Sequence, residues 1–271
     1  MSAEKGCVHL SAGAATHLDR LIGESRAELS QRMIKAPLEA VRDRALAAAA
    51  PRPFVARLLT GGGLIAEVKR ASPSKGAINP GLDPVTLARA YQMGGAACLS
   101  VLTQKTSFGG SLWDLAAARG ACSLPVLRKD FLVEPYQLYE ARAHGADAVL
   151  LIAAALPVAE LLALRALAAE LRLAVLFEIH EESELDAARA CKPDLLGINA
   201  RNLQTLEVDA DAFRRLARQA GPIAPLVAES GIKTPEDVRR LRGLGARGVL
   251  VGEALSSAFD PEIATRILVS A

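Results

Sequence analysis

From residue 64 onward the chain alternates short apolar runs with longer stretches in which Ala and Leu recur among charges. Short runs rich in Val, Ile and Leu read as buried strands, and longer stretches with apolar residues at helical spacing read as amphipathic helices. The strand-like runs are 64–69, 98–102, 125–129, 148–152, 174–178, 195–199, 226–229 and 248–251. Between and after them, helices are predicted at 84–93, 111–119, 134–144, 158–170, 182–190, 211–220, 234–244 and 261–269. The runs recur about every 26 residues, the spacing of a strand, a helix and two loops in a βα unit. Eight such units predict a (β/α)8 TIM barrel over 64–271.

Ahead of the barrel, residues 16–33 carry Leu18, Leu21, Ile22, Leu29 and Met33 at roughly helical spacing, and 37–50 reads as a second helix opened by a proline. Residues 1–60 are therefore expected to form an N-terminal helical extension of a single domain spanning 1–271. The segment 54–59 leads into Gly61, Gly62 and Gly63. These glycines precede a strand, whereas a dinucleotide-binding loop follows one, so they read as a turn.

Polar residues within the strand runs point to chemistry. Successive strand side chains alternate between faces, so Ile65, Glu67 and Lys69 share one face and Leu64, Ala66 and Val68 the other. Five runs end in a polar residue: Lys69, Lys129, Glu178, Asn199 and Glu229. Alternation places Leu127, Leu176, Gly197 and Val227 on the same inward face, an apolar layer beneath these groups. Barrel enzymes concentrate their reactive groups at the C-terminal ends of their strands. The seventh run continues as Ser230-Gly231-Ile232 and the eighth as Gly252-Glu253, the loops where this fold commonly holds phosphate. Glycine there lets backbone approach an anion. The loop 70–80, with two prolines, Lys75 and Gly76, is long enough to act as a lid.

Composition narrows the partners. A net charge of +2 with no basic run interleaved with aromatics speaks against nucleic acid, while a basic pocket for a small anion stays open. The richest apolar region, 149–177, is interrupted by Pro157, Glu160, Arg165, Glu170 and Arg172, so no membrane span is expected. Cys7, Cys98, Cys122 and Cys191 form no CxxC pair, and His9, His17, His144 and His180 show no ligand spacing. Neither a metal nor a cofactor is expected, and a reduced, cytoplasmic setting fits. The residues alone support a phosphorylated, doubly anionic substrate, with Lys and Glu groups for proton transfer. Whether the glutamates raise the lysine pKa or burial lowers it is left open at this level.

The motifs EVKRASPSKG from Glu67, SVLT from Ser100, LRKDF from Leu127, YQLYEARAHGADAVLLI from Tyr136, FEIHEESEL from Phe177, LLGINARNL from Leu195, AESGI from Ala228 and VGEAL from Val251 carry a resemblance. Together they resemble the indole-3-glycerol phosphate synthase family, decarboxylating barrel enzymes of tryptophan biosynthesis. The resemblance implies 1-(2-carboxyphenylamino)-1-deoxyribulose 5-phosphate as substrate, closed to an indole with loss of carbon dioxide and water, and a monomeric enzyme. It implies Lys129 as general acid, Glu67 as the group that pairs with and orients it, and Glu178 as general base. Lys69 would hold the substrate carboxylate and assist dehydration, and Asn199 and Glu229 would position polar groups. Arg201 would bind the anionic portion, and Ser72, Ser230, Gly231, Gly252 and Glu253 would shape the phosphate end. Phe108, Phe131, Leu150 and Leu203 would form an apolar slot for the aromatic ring. Three departures stand out: Gln104 and Lys105 where an acid is common, Ala200 where Asn is usual, and Ser256-Ser257-Ala258. Two competing readings are a Schiff-base lyase at Lys129 and a catalytically silent phosphate-metabolite binder.

Overall fold

The computed structural model describes residues 16–203 and 205–271. Cys7 and His9 lie outside the described residues. Eight parallel strands close into a barrel in sequential order: β1 Leu64–Val68, β2 Cys98–Leu102, β3 Val126–Lys129, β4 Ala148–Ile152, β5 Ala174–Ile179, β6 Leu195–Asn199, β7 Leu226–Glu229 and β8 Gly248–Val251. Around them run α4 Pro84–Met93, α5 Leu112–Ala121, α6 Pro135–Ala143, α7 Val158–Glu170, α8 Leu185–Cys191, α9 Ala212–Ala220, α10 Pro235–Gly243 and α12 Pro261–Val269; a short α11, Glu253–Ser256, follows β8 directly. The predicted helix 182–190 begins as a 3-10 turn, Glu182–Glu184, before α8. The lid loop contains a small antiparallel pair, Ala71–Ser72 with Gly76–Ala77.

Several helix starts share one device. Asp83, Thr234 and Asp260 each accept a backbone N–H from the first helical turn, and each is followed by a proline at the first helical position. The side chain satisfies a donor that the helix leaves orphaned, and the proline needs none.

Strand alternation divides the core into two layers. Ile65, Leu127, Leu150, Leu176, Val227 and Leu250 fill the barrel interior, while Leu64, Ala66, Val68, Leu99 and Val101 pack outward beneath the helices. Each fully buried Leu or Ile contributes about 1.5–3 kcal/mol, so neither layer tolerates a shift in register. Across neighbouring strands Asn199 pairs with Glu229, and Glu178 pairs with Gly197, two residues before Asn199, so the polar ends of β5, β6 and β7 gather at one mouth of the barrel.

Three helices precede the barrel: α1 His17–Lys35, α2 Leu38–Ala47 and α3 Phe54–Thr60. Phe54 and Leu58 of α3 enter the inner cluster at the strand starts, where Leu58 meets Gly248 and the Phe54 carbonyl accepts the Cys98 thiol. α3 is thus a plug for the N-terminal end of the barrel. α1 lies across the opposite end, with Leu18 and Leu21 in the inner cluster beside Phe131.

Two glutamates of α1 capture the loop after β2. Glu28 accepts the Thr106 backbone N–H at 2.8 Å and its hydroxyl at 2.7 Å, and Glu24 accepts the Gln104 amide at 3.0 Å. The Gln104 carbonyl in turn accepts the backbone N–H groups of Ser107 at 2.8 Å and Phe108 at 3.2 Å. An amide at this position therefore does two jobs: it donates to a buried-side carboxylate and organises the turn that carries Phe108. A carboxylate there would face Glu24 without a proton to share, which accounts for Gln104 in company with Glu24.

Candidate active site

A cavity of about 660 Å³ opens at the C-terminal ends of the strands. Its wall includes every residue that the sequence assigned to the site: Glu67, Lys69, Ser72, Phe108, Lys129, Phe131, Leu150, Glu178, Asn199, Arg201, Leu203, Glu229, Ser230, Gly231, Gly252 and Glu253. Lys75 of the lid and Lys233 of the β7 loop line it as well.

At its floor, the last residue of β3 meets two carboxylates. Lys129 Nζ donates to Glu178 Oε2 at 2.9 Å and lies 3.4 Å from Glu229 Oε2. Burial pushes the Lys129 pKa down, but the charges of Glu178, Glu229 and Glu67 outweigh it and hold the ammonium above the usual lysine range. Glu178 answers in the other direction. Burial alone would raise its pKa, yet the Lys129 ammonium and the neighbouring His180 hold it well below the usual carboxylate range. The other Glu178 oxygen accepts the Asn199 side-chain amide at 3.1 Å, and the Asn199 carbonyl accepts the Arg201 backbone N–H at 2.9 Å and the Ser230 hydroxyl at 2.7 Å. Ser230 and Gly231 both sit in the left-handed region, with φ of 68° and 73°. The Ser230–Asn199 hydrogen bond helps offset the strain that a non-glycine residue meets there.

Glu229 differs from Glu178 in state. Burial and the negative charge of Glu178 raise its pKa to about 8, with Lys129 opposing. Its Oε1 is buried and has no hydrogen-bond partner among the described residues. Between its ordinary value of 4.5 and about 8, the folded protein holds a proton that the unfolded chain has released, so stability falls as pH rises through that window. Glu229→Gln removes the ionisation and is expected to raise the melting temperature relative to wild type by a few degrees. The gain should grow between about pH 5 and pH 8 and then level off; melting curves across that range check it.

Glu67 is placed differently from expectation. It pairs with Lys69, Oε1 to Nζ at 2.8 Å, and its second oxygen accepts the Ser100 hydroxyl at 3.3 Å. Lys129 takes Glu178 and Glu229 as its partners instead. Lys69, two residues on along the same face, takes Glu67 as its ion pair, so Glu67 acts on Lys129 only behind Glu178 and Glu229. Ser256, one of the departures from the family pattern, fastens this end of β1. Its hydroxyl donates to the Glu67 carbonyl at 2.8 Å and accepts the Lys69 N–H at 3.2 Å. Its own carbonyl accepts the Asn79 amide at 3.0 Å, tying in the base of the lid. Lys75, near the lid's tip, lies 3.5 Å from Glu253 across the cavity mouth.

Two glycines make room for the acids. A Cβ at Gly197 would run into the Glu229 carboxylate, and one at Gly252 into the Glu67 carboxylate. On the apolar side, Phe108 and Phe131 lie with ring centroids 6.2 Å apart, tilted by 45°, near Leu150 and Leu203. The result is an apolar side of the cavity adjoining the cluster of paired lysines and glutamates.

His180 is the residue that sequence reading passed over. It follows Glu178 by two positions, and its ring lies between two carboxylates, Nε2 at 3.2 Å from Glu178 Oε1 and Nδ1 at 3.7 Å from Glu184 Oε2. Two-residue spacing from a strand-end glutamate was the available signal.

The chain is similar to known proteins over almost all of its length. The family model described as Indole-3-glycerol phosphate synthase matches residues 18–268. Indole-3-glycerol phosphate synthase of Mycobacterium sp. (strain KMS) is 48% identical over 259 residues, covering 95% of each chain. The protein of the same name from Azospirillum brasilense is 48% identical over 258 residues, covering 93% of this chain and 98% of its own. Among solved structures, 3-hexulose-6-phosphate synthase superposes with a TM-score of 0.62 at 15% identity, covering 77% of this chain and 98% of its own. Thiamine phosphate pyrophosphorylase from Pyrococcus furiosus gives 0.59 at 18% identity, covering 79% of this chain and 96% of its own. These two likenesses show the barrel fold alone. The sequence relatives carry more: the chain belongs to the indole-3-glycerol phosphate synthase family, carboxy-lyases of tryptophan biosynthesis.

Proposed function

We propose that the cavity closes 1-(2-carboxyphenylamino)-1-deoxyribulose 5-phosphate to indole-3-glycerol phosphate, with Lys129 as general acid and Glu178 as general base. The observation that carries this assignment is the Lys129 ammonium held 2.9 Å from Glu178 at the cavity floor. As the ring carbon bearing the carboxylate attacks the ketone, the ketone oxygen becomes an alkoxide, a stronger base than an amine. A proton from Lys129 then moves with formation of the carbon–carbon bond, and a fixed ammonium stabilises that charge more than it stabilises the ketone. Loss of carbon dioxide returns the electron pair of the broken bond to the benzene ring. The hydroxyl leaves as water with a second proton, for which Lys69 is placed, while Glu178 takes the proton whose loss makes the five-membered ring aromatic. Two protons are given and one recovered, so each turnover draws one from solvent. The short Glu178–Lys129 contact lets the recovered proton return to the acid.

The remaining groups fit binding. Phe108, Phe131, Leu150 and Leu203 offer a slot for the aromatic ring, and Lys69 a cation for its carboxylate. Arg201 lines the cavity and makes no ion pair among the described residues, which supports a role in binding an anionic group. Ser72, Ser230, Gly231, Gly252 and Glu253 border the end assigned to phosphate. A Schiff-base lyase needs a neutral amine, and the carboxylates around Lys129 work against one. The same reading makes the protein a cytoplasmic monomer; Cys98, Cys122 and Cys191 are free buried thiols, which fits that compartment, and sedimentation checks the monomer.

An assay without added metal, following indole fluorescence, tests the proposal. Glu178→Gln should lower kcat by about 100-fold with little change in KM. Tight, phosphate-dependent binding with no product from the wild type would favour the silent binder instead.

A further inference from the structure

We propose that His180 is a positioning residue whose charged ring keeps Glu178 oriented and ionised while Lys129 is without its proton. The inference rests on Glu178 being the base. β5 ends at Ile179, and period-two alternation turns the His180 ring to the side on which Glu178 lies. Each Glu178 oxygen then has its own cation: Oε2 has Lys129 Nζ at 2.9 Å, and Oε1 has His180 Nε2 at 3.2 Å beside the Asn199 amide.

The ring is itself fixed from behind. Glu184 Oε2 lies 3.7 Å from Nδ1, and that oxygen is anchored by the backbone N–H groups of His180 at 2.5 Å and Glu181 at 3.3 Å. The His180 side chain is only 9% exposed. Both ring nitrogens are buried without an aligned hydrogen bond among the described residues, so the tie to the two carboxylates is one of charge. Burial opposes protonation of the ring, but Glu178 and Glu184 outweigh it and raise its pKa from 6.5 to about 9. On the far side of Glu178 stand Lys129 of β3, which Glu229 of β7 shares, and the neutral amide of Asn199 on β6.

The second cation matters because the reaction discharges the first. Once Lys129 has protonated the ketone oxygen, a Glu178 with Lys129 as sole counter-charge would lose the interaction that keeps it ionised in a buried site, and its affinity for any nearby proton would rise. An imidazolium that stays charged through this step preserves a free carboxylate for the later abstraction. By engaging Oε1 it also keeps Oε2 turned to the Lys129 side of the cavity.

Histidine-labelled NMR and steady-state kinetics test this together. In the resting enzyme, the His180 ring, assigned by loss of its signal in His180→Gln, should be an imidazolium near pH 7. Its midpoint should fall towards the ordinary value in Glu178→Gln and in Glu184→Gln. His180→Ala should lower kcat by about tenfold with KM within about twofold, and the acid limb of the kcat profile should move up in pH. His180→Gln keeps polar bulk without the charge, so its acid limb should shift in the same way. A neutral ring near pH 7, or a folded His180→Ala with wild-type kcat and acid limb, would overturn the proposal. Near-normal turnover in Glu178→Gln would instead overturn the base assignment, and the NMR result is read independently of it.

Discussion

Lys129→Ala is expected to lower kcat for ring closure by about 10⁴-fold while leaving the affinity for substrate within about fivefold of wild type. The rate loss combines two effects that act on one atom: a missing proton donor, worth about 10²–10⁴, and a missing charge opposite the developing alkoxide, worth about 10²–10³. They overlap, because both describe the same ammonium, so the product is an upper bound. Affinity should survive because the groups assigned to phosphate, from Ser72 to Gly252, lie in the 70–80 loop and in the loops after β7 and β8, whereas the lysine head group is paired with Glu178 and Glu229. The truncation also leaves Glu178 and Glu229 without their shared cation. With Glu229 already disposed to hold a proton, the pair can pass to a lower charge without unfolding the floor of the cavity. Titration calorimetry with substrate in the inactive variant, beside single-turnover fluorescence, separates the terms. Equal losses of binding and turnover would contradict the role of Lys129 as an acid.

The same cluster shows how far the sequence could be read. Strand positions followed from the short apolar runs and their regular spacing, and the inward face of the polar strand ends from period-two alternation, because strands buried on both faces leave few other places for charge. What alternation cannot supply is a partner. Glu67, Lys129, Glu178 and Glu229 all face inward, yet which carboxylate takes which ammonium depends on side-chain reach across the lumen, and there Glu67 goes to Lys69. Gly197 and Gly252 show a related gap. The first reads as part of an apolar layer and the second as an approach for an anion, and neither reading reveals that the space beside each also holds a carboxylate from the neighbouring strand. Short elements such as α11 and the lid pair contain too few residues to display a period at all.

Arg128 is the clearest case of a residue hidden from sequence, and its replacement carries the largest expected loss of stability. It stands between Leu127 and Lys129 in β3, so alternation points it outward into the layer under the helices, where an apolar residue is the normal occupant. It is 0% exposed. Nε donates to the Thr103 hydroxyl at 3.1 Å, Nη1 to the Gln137 carbonyl at 2.7 Å and to Glu140 at 3.3 Å, and Nη2 to Asp130 at 3.0 Å. Both carboxylates reach on to α1: Glu140 accepts Arg32 Nε at 2.6 Å, and Asp130 accepts the Ser25 hydroxyl at 3.3 Å and the Phe131 N–H at 2.8 Å. One guanidinium thus joins β3, α6 and, through its partners, the helix that covers the cavity, using residues far apart in sequence. Arg128→Met keeps much of the volume but leaves Asp130 and Glu140 buried with part of their pairing gone. Breaking one side of such a network costs about 3–5 kcal/mol, a fall in melting temperature of roughly 10 °C. Denaturant titration should show it. Adding Glu140→Gln to Arg128→Met should recover part of the loss, since it removes one of the two stranded charges. A loss below about 1 kcal/mol would mean that the acids are satisfied by α1 and backbone alone. Because β3 also carries Lys129 and leads into Phe131, the variant should lose activity at temperatures well below its melting point, as α1 and the end of β3 loosen ahead of the barrel.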